Sequence, residues 1–337
     1  MLTIRSFRNS DVSVLPQIWN KCASLNPEHF RPLSMTLLDE HVLGRPWFDR
    51  YGLLLAFDDN QLIGFAHAAF GPNHDHTDIN PAIGVVCMLM VLPEYGHRMA
   101  AGEKLLEACE RYLIAHGAKL IYGGAVRPAA PFYMGLYGGS EPIGVFESDK
   151  LAAELYRNFG YETINKTFLF RVSPEHDRIP NTPKTRAWRH RLKLVCTDLP
   201  RPEHWWEACM MCHFTWLELQ AYLPNDPAPV GSVVIRITDS REMPDFNQPS
   251  NSLSAPWGGF RRKPCTAGLM NIIVREDFRN RGLATWLTKE MFRKAQREGV
   301  TTFEAQAAEE NSPLVALLKS MCWNIVERGE VFRKNLA

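Results

Sequence analysis

At 337 residues, 45% of them hydrophobic and 22% charged, the chain has an ordinary soluble globular composition and enough length for two domains. Its 38 Lys and Arg nearly balance its 37 Asp and Glu, which excludes the broad basic field of a nucleic-acid binder or of a protein held on an anionic membrane. No apolar run matches a membrane span, the first residues read as a strand and not a secretory signal, and the eight scattered cysteines suit reduced thiols, with Cys87, Cys109 and Cys196 inside apolar runs. A cytoplasmic protein is expected.

Residues 2–7 alternate as a first strand, and Asp11 stands where an N-cap would open a helix carrying Val14, Leu15, Ile18 and Trp19. A second helix is expected over 36–43. Residues 51–57 and 61–70 read as strands joined in a hairpin at Asp58-Asp59-Asn60. The polar stretch 71–81 contains His74-Asp75-His76, metal-ligand types with no further partner in the pattern, so a surface loop is expected. The apolar run 85–92 meets Pro93-Glu94-Tyr95 and then a helix over 99–116, and 120–126 is another strand. An aromatic and glycine-rich stretch at 131–140 either lines a substrate pocket or seals a contact between two halves. A helix begins at Asp149, and 163–171 is a strand.

Prolines and polar residues dominate 172–185, the mark of a linker. The second half begins with a strand at 189–196 and an aromatic-rich helix over 202–219. Cys209-Met-Met-Cys212-His213 lies inside that helix; no second ligand pair follows it, and Trp205, Trp206 and Phe214 point to a packed helix core. A strand spans 230–238, and 240–263, rich in Pro, Ser, Asn and Gly, carries no regular pattern. Next come a buried strand at 269–274, a helix at 285–297 with Trp286, Leu287, Met291 and Ala295 at helical spacing, a strand at 301–307, a helix at 311–323 and a closing strand within 325–334. Strand, turn and helix at 269–297 thus repeat those at 85–116, an internal duplication.

The turn Arg279-Asn280-Arg281-Gly282-Leu283-Ala284 has the parts of an anion cradle. Helix N-terminal amides face the guest, a glycine lets the backbone approach it, and two arginines add charge-assisted bonds. A pyrophosphate is the expected guest. No Gly-Lys-Ser/Thr follows, which excludes a Walker A loop, and the paired glycines of the dinucleotide fingerprint are missing.

Arg279-x-x-Gly282-x-Ala284 after a strand resembles the acyl-CoA-binding loop of the GNAT superfamily of N-acetyltransferases. Asp149-x-x-Ala152-x-x-Leu155-Tyr156-x-x-x-Gly160-Tyr161 resembles that family's Asn-x-x-Ala-x-x-Leu-Tyr-x-x-x-Gly-Phe helix. The resemblance implies an α/β protein made of two tandem GNAT folds, each a mixed, mostly antiparallel central sheet flanked by helices. The units would be 1–172 with a degenerate CoA loop, a linker at 173–186, and 187–337 with an intact one, an arrangement similar to that of mycothiol synthase. It also implies acetyl-CoA as cofactor and CoA as product. The loop from Arg279 through Asn280, Arg281, Gly282, Leu283 and Ala284 to Thr285 would hold the pyrophosphate, Ile272, Ile273 and Val274 would pair with the pantetheine arm, and Asn311 would take the place of the family's Asn.

The two copies depart from the family differently. Aligning Pro93 with Glu276 puts Met99 where Gly282 stands and Ala101 where Ala284 stands, so the first loop loses its close-approach glycine, with His97 and Arg98 as partial compensation. In the second copy Leu318 stands where the family carries Tyr, and Cys322-Trp323 replaces Gly-Phe. Tyr156, the residue that in the family protonates the departing thiolate, therefore belongs to the other copy.

Acetyl transfer to an ammonium of pKa about 10 needs a base acting through water, an oxyanion donor and a proton for the thiolate. A backbone N–H near Asn271 to Ile273 is the expected donor. Glu304 is the expected base, on the polar face of an alternating strand with Gln306, and Glu309 and Glu310 stand behind it. Two functions follow: an acetyl-CoA-dependent N-acetyltransferase whose second copy binds the cofactor and acts on a small-molecule or peptide amine, or a non-catalytic acyl-CoA-binding sensor. Neither nucleic acid nor membrane is expected as a partner, and fused copies that mimic a dimer imply a monomer.

Overall fold

The computed structural model describes residues 1–173, 183–198, 200–238 and 265–336. Most of the linker expected at 173–186 and all of the irregular stretch 240–263 lie outside the described residues.

Among the described residues thirteen strands form one sheet: β1 (Leu2–Ser6), β2 (Leu53–Asp58), β3 (Gln61–Pro72), β4 (Ile79–Val91), β5 (Leu120–Gly123), β6 (Val145–Phe146), β7 (Glu162–Val172), β8 (Lys193–Asp198), β9 (Thr215–Tyr222), β10 (Gly231–Thr238), β11 (Cys265–Val274), β12 (Val300–Ala308) and β13 (Asn324–Asn335). The helices are α1 (Leu15–Ala23), α2 (Met35–Leu38), α3 (Arg98–Ala115), α4 (Lys150–Asn158), α5 (Pro183–Arg186), α6 (Trp205–Met211), α7 (Leu283–Arg297) and α8 (Ser312–Ser320). Neighbouring strands run in the order β1-β2-β3-β4-β5-β13-β7-β12-β11-β10-β9-β8, with β6 paired to β13. Pairing is antiparallel except for β4 with β5 and β11 with β12.

The duplication expected from sequence is present, with one feature that local patterning cannot carry. Strand β7, which was expected to close the first unit, lies between β12 and β13, and the chain's last strand lies between β5 and β7. Each half is therefore completed by the other half's final strand, and no free edge separates them. Backbone hydrogen bonds thus run continuously through the seam, so neither half is a closed sheet without the other.

Each face of the sheet is covered because the sequence supplies one apolar stripe per helix. Leu283, Trp286, Leu287, Met291 and Ala295 of α7 are all buried against β9 to β12, as their spacing predicts. Helices α3 and α4 do the same for the first half. On the opposite face, α1, α2 and α6 share one core with the aromatic stretch 131–140, whose Phe132, Tyr133, Met134, Leu136 and Tyr137 are buried. Trp47 stacks on Trp206 at 4.1 Å, so this core joins the halves.

Several expected elements differ. Asp11 does not open α1; its carboxylate accepts from the Arg8 amide at 2.7 Å and pairs with Arg5 at 2.7 Å, while α1 starts after Val14 with Pro16 in its first turn. The helix expected at 36–43 is α2 followed by a wider turn of five residues, Asp39–Leu43. The strand expected at 189–196 begins at Lys193, because Ala187–His190 form a 3-10 turn that buries Trp188. The helix expected over 202–219 ends at Met211; His213 takes a positive φ of 70°, and Thr215–Tyr222 is a strand. Its buried residues Leu217, Leu219 and Ala221 alternate with half-exposed Glu218, Gln220 and Tyr222, a period of two that the aromatic richness upstream masked. Cys196 is exposed on an edge strand, contrary to its expected core position, whereas Cys109 is buried and Cys87 half-buried.

Candidate active site

Strands β11 and β12 pair in parallel only from Cys265 to Leu269 and from Val300 to Ala305. Past that point they part, β12 staying on β7 and β11 on β10. A bulge opposite Val234 and Ile235 leaves Met270 as the extra residue at the fork. The resulting wedge is a cleft of about 940 Å³, walled by Leu269 to Val274 on one side and Ala305 to Ala308 on the other. Between Met270 and Val274 the edge of β11 that β12 would otherwise cover is open, and an open edge offers unpaired N–H and C=O groups to an extended guest.

The mouth of the cleft is the turn into α7. Asn280 and Gly282 both have positive φ, 58° and 78°, and Gly282 is the helix N-cap. A left-handed N-cap turns the chain sharply enough that the amides of Gly282, Leu283, Ala284 and Thr285 open the helix without intrahelical partners. Arg279 folds back so that its Nε donates to the carbonyl of Val274, at 3.1 Å, tying the turn to the strand end. On the outer side, Trp188 Nε1 donates to the carbonyl of Arg281 at 3.0 Å. The far wall is α8, capped by the Asn311 side chain, which accepts from the Leu314 amide at 3.3 Å.

Of the eleven residues expected to contact a cofactor, ten line this cleft: Ile272, Ile273, Val274, Arg279, Asn280, Gly282, Leu283, Ala284, Thr285 and Asn311. Arg281 does not; its carbonyl is held by Trp188 and its side chain is exposed. The residues fit a phosphate-bearing guest on the grounds the structure offers: uncommitted helix amides, a close-approach glycine and an adjacent open strand edge.

Neither expected catalytic side chain reaches the cleft. Glu304 is 5% exposed and accepts from Arg171 Nε and Nη2 at 3.0 and 2.9 Å, with Ser140 Oγ at 3.5 Å. It shares a face of β12 with Gln306, as alternation predicts, and there it is covered by Gly139 and Ser140 of the aromatic stretch. Glu309 and Glu310 lie on the exposed turn after β12. Tyr156 is 2% exposed, stacked on Phe332 at 5.2 Å, and lines a separate cavity of about 310 Å³ in the first half. Leu318, at the matching position, is wholly buried.

Sequence reasoning missed three residues at the fork, all supplied by or reaching toward the first half. Arg127 Nη2 donates to the carbonyl of Met270 at 2.7 Å, and Arg127 Nε is 2.8 Å from Glu141 Oε1. Glu141 is the sole carboxylate among the described cleft residues, and burial pushes its pKa up while Arg127 pulls it down. Thr167 of β7 completes that wall. No local pattern around 127 or 141 signals this role, since it depends on how the halves join.

The first half keeps the same frame. Strands β4 and β5 pair in parallel only over Ile83–Val86 and Leu120–Gly123, and the bulge there leaves Cys87 as the extra residue. Its helix begins earlier, at Arg98 after His97 with φ −110°, so no left-handed glycine opens the turn. Arg98 Nη2 donates to the carbonyl of Val91 at 3.3 Å, the counterpart of the contact made by Arg279.

Comparison with known proteins agrees with this geometry. The model of the acetyltransferase (GNAT) family matches residues 18–136 and again 185–322. A tandem GNAT protein from the clavulanic acid biosynthesis pathway superposes with a TM-score of 0.66 at 14% identity, covering 99% of this chain and 98% of that one. A GCN5-related N-acetyltransferase from Sphaerobacter thermophilus superposes with a TM-score of 0.61 at 15% identity, covering 99% and 95%. A putative acetyltransferase from Pyrococcus horikoshii gives 0.55 at 11%, covering 100% and 90%. At these identities the likeness is one of fold. No curated protein matches by sequence. With two matched regions that together span most of its length, the chain belongs to the acetyltransferase (GNAT) family and carries two GNAT regions.

Proposed function

We propose that the protein is an acetyl-CoA-dependent N-acetyltransferase that binds its cofactor in the second half and acetylates a primary amine. The observation that carries this reading is the pairing of an open strand edge at Met270–Val274 with a left-handed Gly282 at the head of α7. The edge suits an extended pantetheine arm and the helix head suits its pyrophosphate. In the first half the same fork lacks the glycine.

Acetyl-CoA would supply an activated acyl group: the N–C bond forms as the C–S bond breaks, and of the two protons the ammonium loses, one goes to a base and one is balanced by protonation of the departing thiolate. The chain's own contribution is positioning and proton transfer. The β11 edge orients the thioester carbonyl, an amide near Asn271 being the oxyanion donor. Glu141 takes the proton through water, burial raising its pKa above the ordinary carboxylate value and so its basicity, with Arg127 holding it in place. With Leu318 buried in place of a tyrosine, the thiolate takes its proton from water.

That same Leu318 favours a second reading, a non-catalytic acyl-CoA sensor. Thiol release against an amine panel separates the two, because a sensor binds acetyl-CoA and releases nothing. The cofactor site is tested by thermal shift with acetyl-CoA. Gly282→Trp abolishes the shift and Met99→Gly leaves it; an undiminished shift in Gly282→Trp moves the cofactor elsewhere. Glu141→Gln keeps the shift and lowers kcat by on the order of a hundredfold.

A further inference from the structure

A second cavity of about 490 Å³ lies across β11 from the cofactor cleft, and Arg127, Met270, Asn271 and Ile273 wall both. These four residues stand at the fork, where the strand edge is open, so a guest in each cavity would meet there. We propose that this second cavity is the acceptor site and that it takes a small-molecule amine bearing a second cationic centre, such as an aliphatic diamine or polyamine. The proposal rests on the acetyltransferase reading for the reaction, but its binding component does not.

Position carries the assignment, and the lining gives the class. The floor is the sheet face turned away from α7, where Glu218, Val234 and Asn271 sit side by side across β9, β10 and β11. Two strand spacings put Glu218 roughly 10 Å from Asn271. An extended four-carbon diamine with one nitrogen at the fork approaches that span once a charge-assisted hydrogen bond of about 2.8 Å joins its other nitrogen to the carboxylate. Opposite lies α6, which contributes the buried Trp206 and the half-buried Glu207. Apolar walls with convergent carboxylates suit an alkyl chain between two ammonium groups.

The charges of the lining favour a cation. Glu203, Glu207 and Glu218 face the cavity with Arg201, Arg127, His76 and His204; Arg127 is engaged by Glu141, and His204 Nε2 lies 3.9 Å from Glu203. No ion pair joins Glu207 or Glu218 to a cationic side chain among the described residues: Glu207 accepts from the amide of Glu203 at 2.7 Å, and Glu218 from Gln220 Nε2 at 3.0 Å. A volume of a few hundred Å³ suits a metabolite-sized ligand.

The test measures binding and turnover separately. Calorimetry of the full chain with CoA present compares 1,4-diaminobutane with n-butylamine, for wild type, Glu218→Gln and Glu207→Gln. The diamine is expected to bind about tenfold more tightly than the monoamine, the worth of one charge-assisted hydrogen bond, and Glu218→Gln is expected to remove that advantage while leaving the acetyl-CoA thermal shift unchanged. Equal binding of the two amines by wild type, or an advantage that survives both substitutions, overturns the proposal. Diamine binding of the expected kind without thiol release would instead reject the acetyltransferase reading and keep the site.

Discussion

Trp188 donates its indole N–H to the carbonyl of Arg281 at 3.0 Å, so a residue just after the connection between the halves holds the outer side of the turn into α7. Trp188 is 5% exposed, sits tilted against Phe278 and has the Arg191 guanidinium over its ring. The turn has two left-handed residues and its own amides are uncommitted, so an external anchor is what keeps it in one shape. Trp188→Phe retains most of the apolar contact and deletes the hydrogen bond. Acetyl-CoA affinity is expected to fall about fivefold, the equivalent of about 1 kcal/mol, with little change in melting temperature. Calorimetric titration of the variant checks this; unaltered affinity would mean that the turn is rigid without Trp188.

Glu304 separates a structural role from a chemical one. It lies directly opposite Arg171 across the β12–β7 junction, where the two halves meet. Glu304→Gln is expected to cost about 2 kcal/mol in chemical denaturation, less than for a fully buried pair, because the Arg171 side chain is 22% exposed and keeps Glu28 at 3.5 Å. Turnover per folded molecule should stay within about threefold of wild type, far short of what loss of a general base causes. A hundredfold loss of kcat in a stably folded variant would restore Glu304 as the base.

What the sequence made legible follows from where each signal is stored. Elements whose pattern is local, such as the stripe of Trp286, Leu287 and Met291 or the turn at Gly282, were readable because period and glycine placement are properties of a short window. The duplication was readable for the same reason. The exchange of β7 and β13 was not, since both strands alternate alike wherever they pair. The surroundings of Glu304 were hidden for the same reason: its side of β12 follows from alternation, but what covers that side is residues 139–140, distant in sequence. Arg127 and Glu141 escaped notice because they reach the fork from the first half.

Two buried histidines set an acid limit. Burial holds His67 down to about 3, with its Nδ1 2.9 Å from the Tyr133 hydroxyl, and burial with nearby Arg45 holds His41 down to about 2. Both stay neutral in the fold while the unfolded chain protonates near 6.5, so stability falls as pH drops below that value. The loss continues toward the folded values. Each is expected to contribute a loss of about 2 kcal/mol by pH 5. Glu141 and Asp149, raised by burial, gain stability over part of the same descent, so the difference between variants is the proper measure. His67→Phe, whose ring would keep the stack on Phe132, should lose about 2 kcal/mol less than wild type between pH 7 and 5 in urea melts. Parallel curves would mean that His67 takes up its proton in the fold.

Gly160 and Cys322 occupy the same place in the two halves, two residues past the ends of α4 and α8, and both are left-handed, with φ of 78° and 62°. In each, the next amide returns to a carbonyl near the helix end, Tyr161 to Tyr156 at 3.0 Å and Trp323 to Leu318 at 3.2 Å. That bond requires the positive φ, and for a residue with a Cβ such a backbone costs about 1 kcal/mol. Cys322→Gly should therefore stabilise the protein by roughly 0.5–1 kcal/mol after the entropy of the added glycine is set against the relief. Gly160→Cys should destabilise it by a similar amount, because a Cβ there meets no atom within 4 Å and the cost is confined to the backbone. Denaturant midpoints of the two single variants give the comparison; if both move the same way, side-chain contacts of Cys322 outweigh its strained backbone.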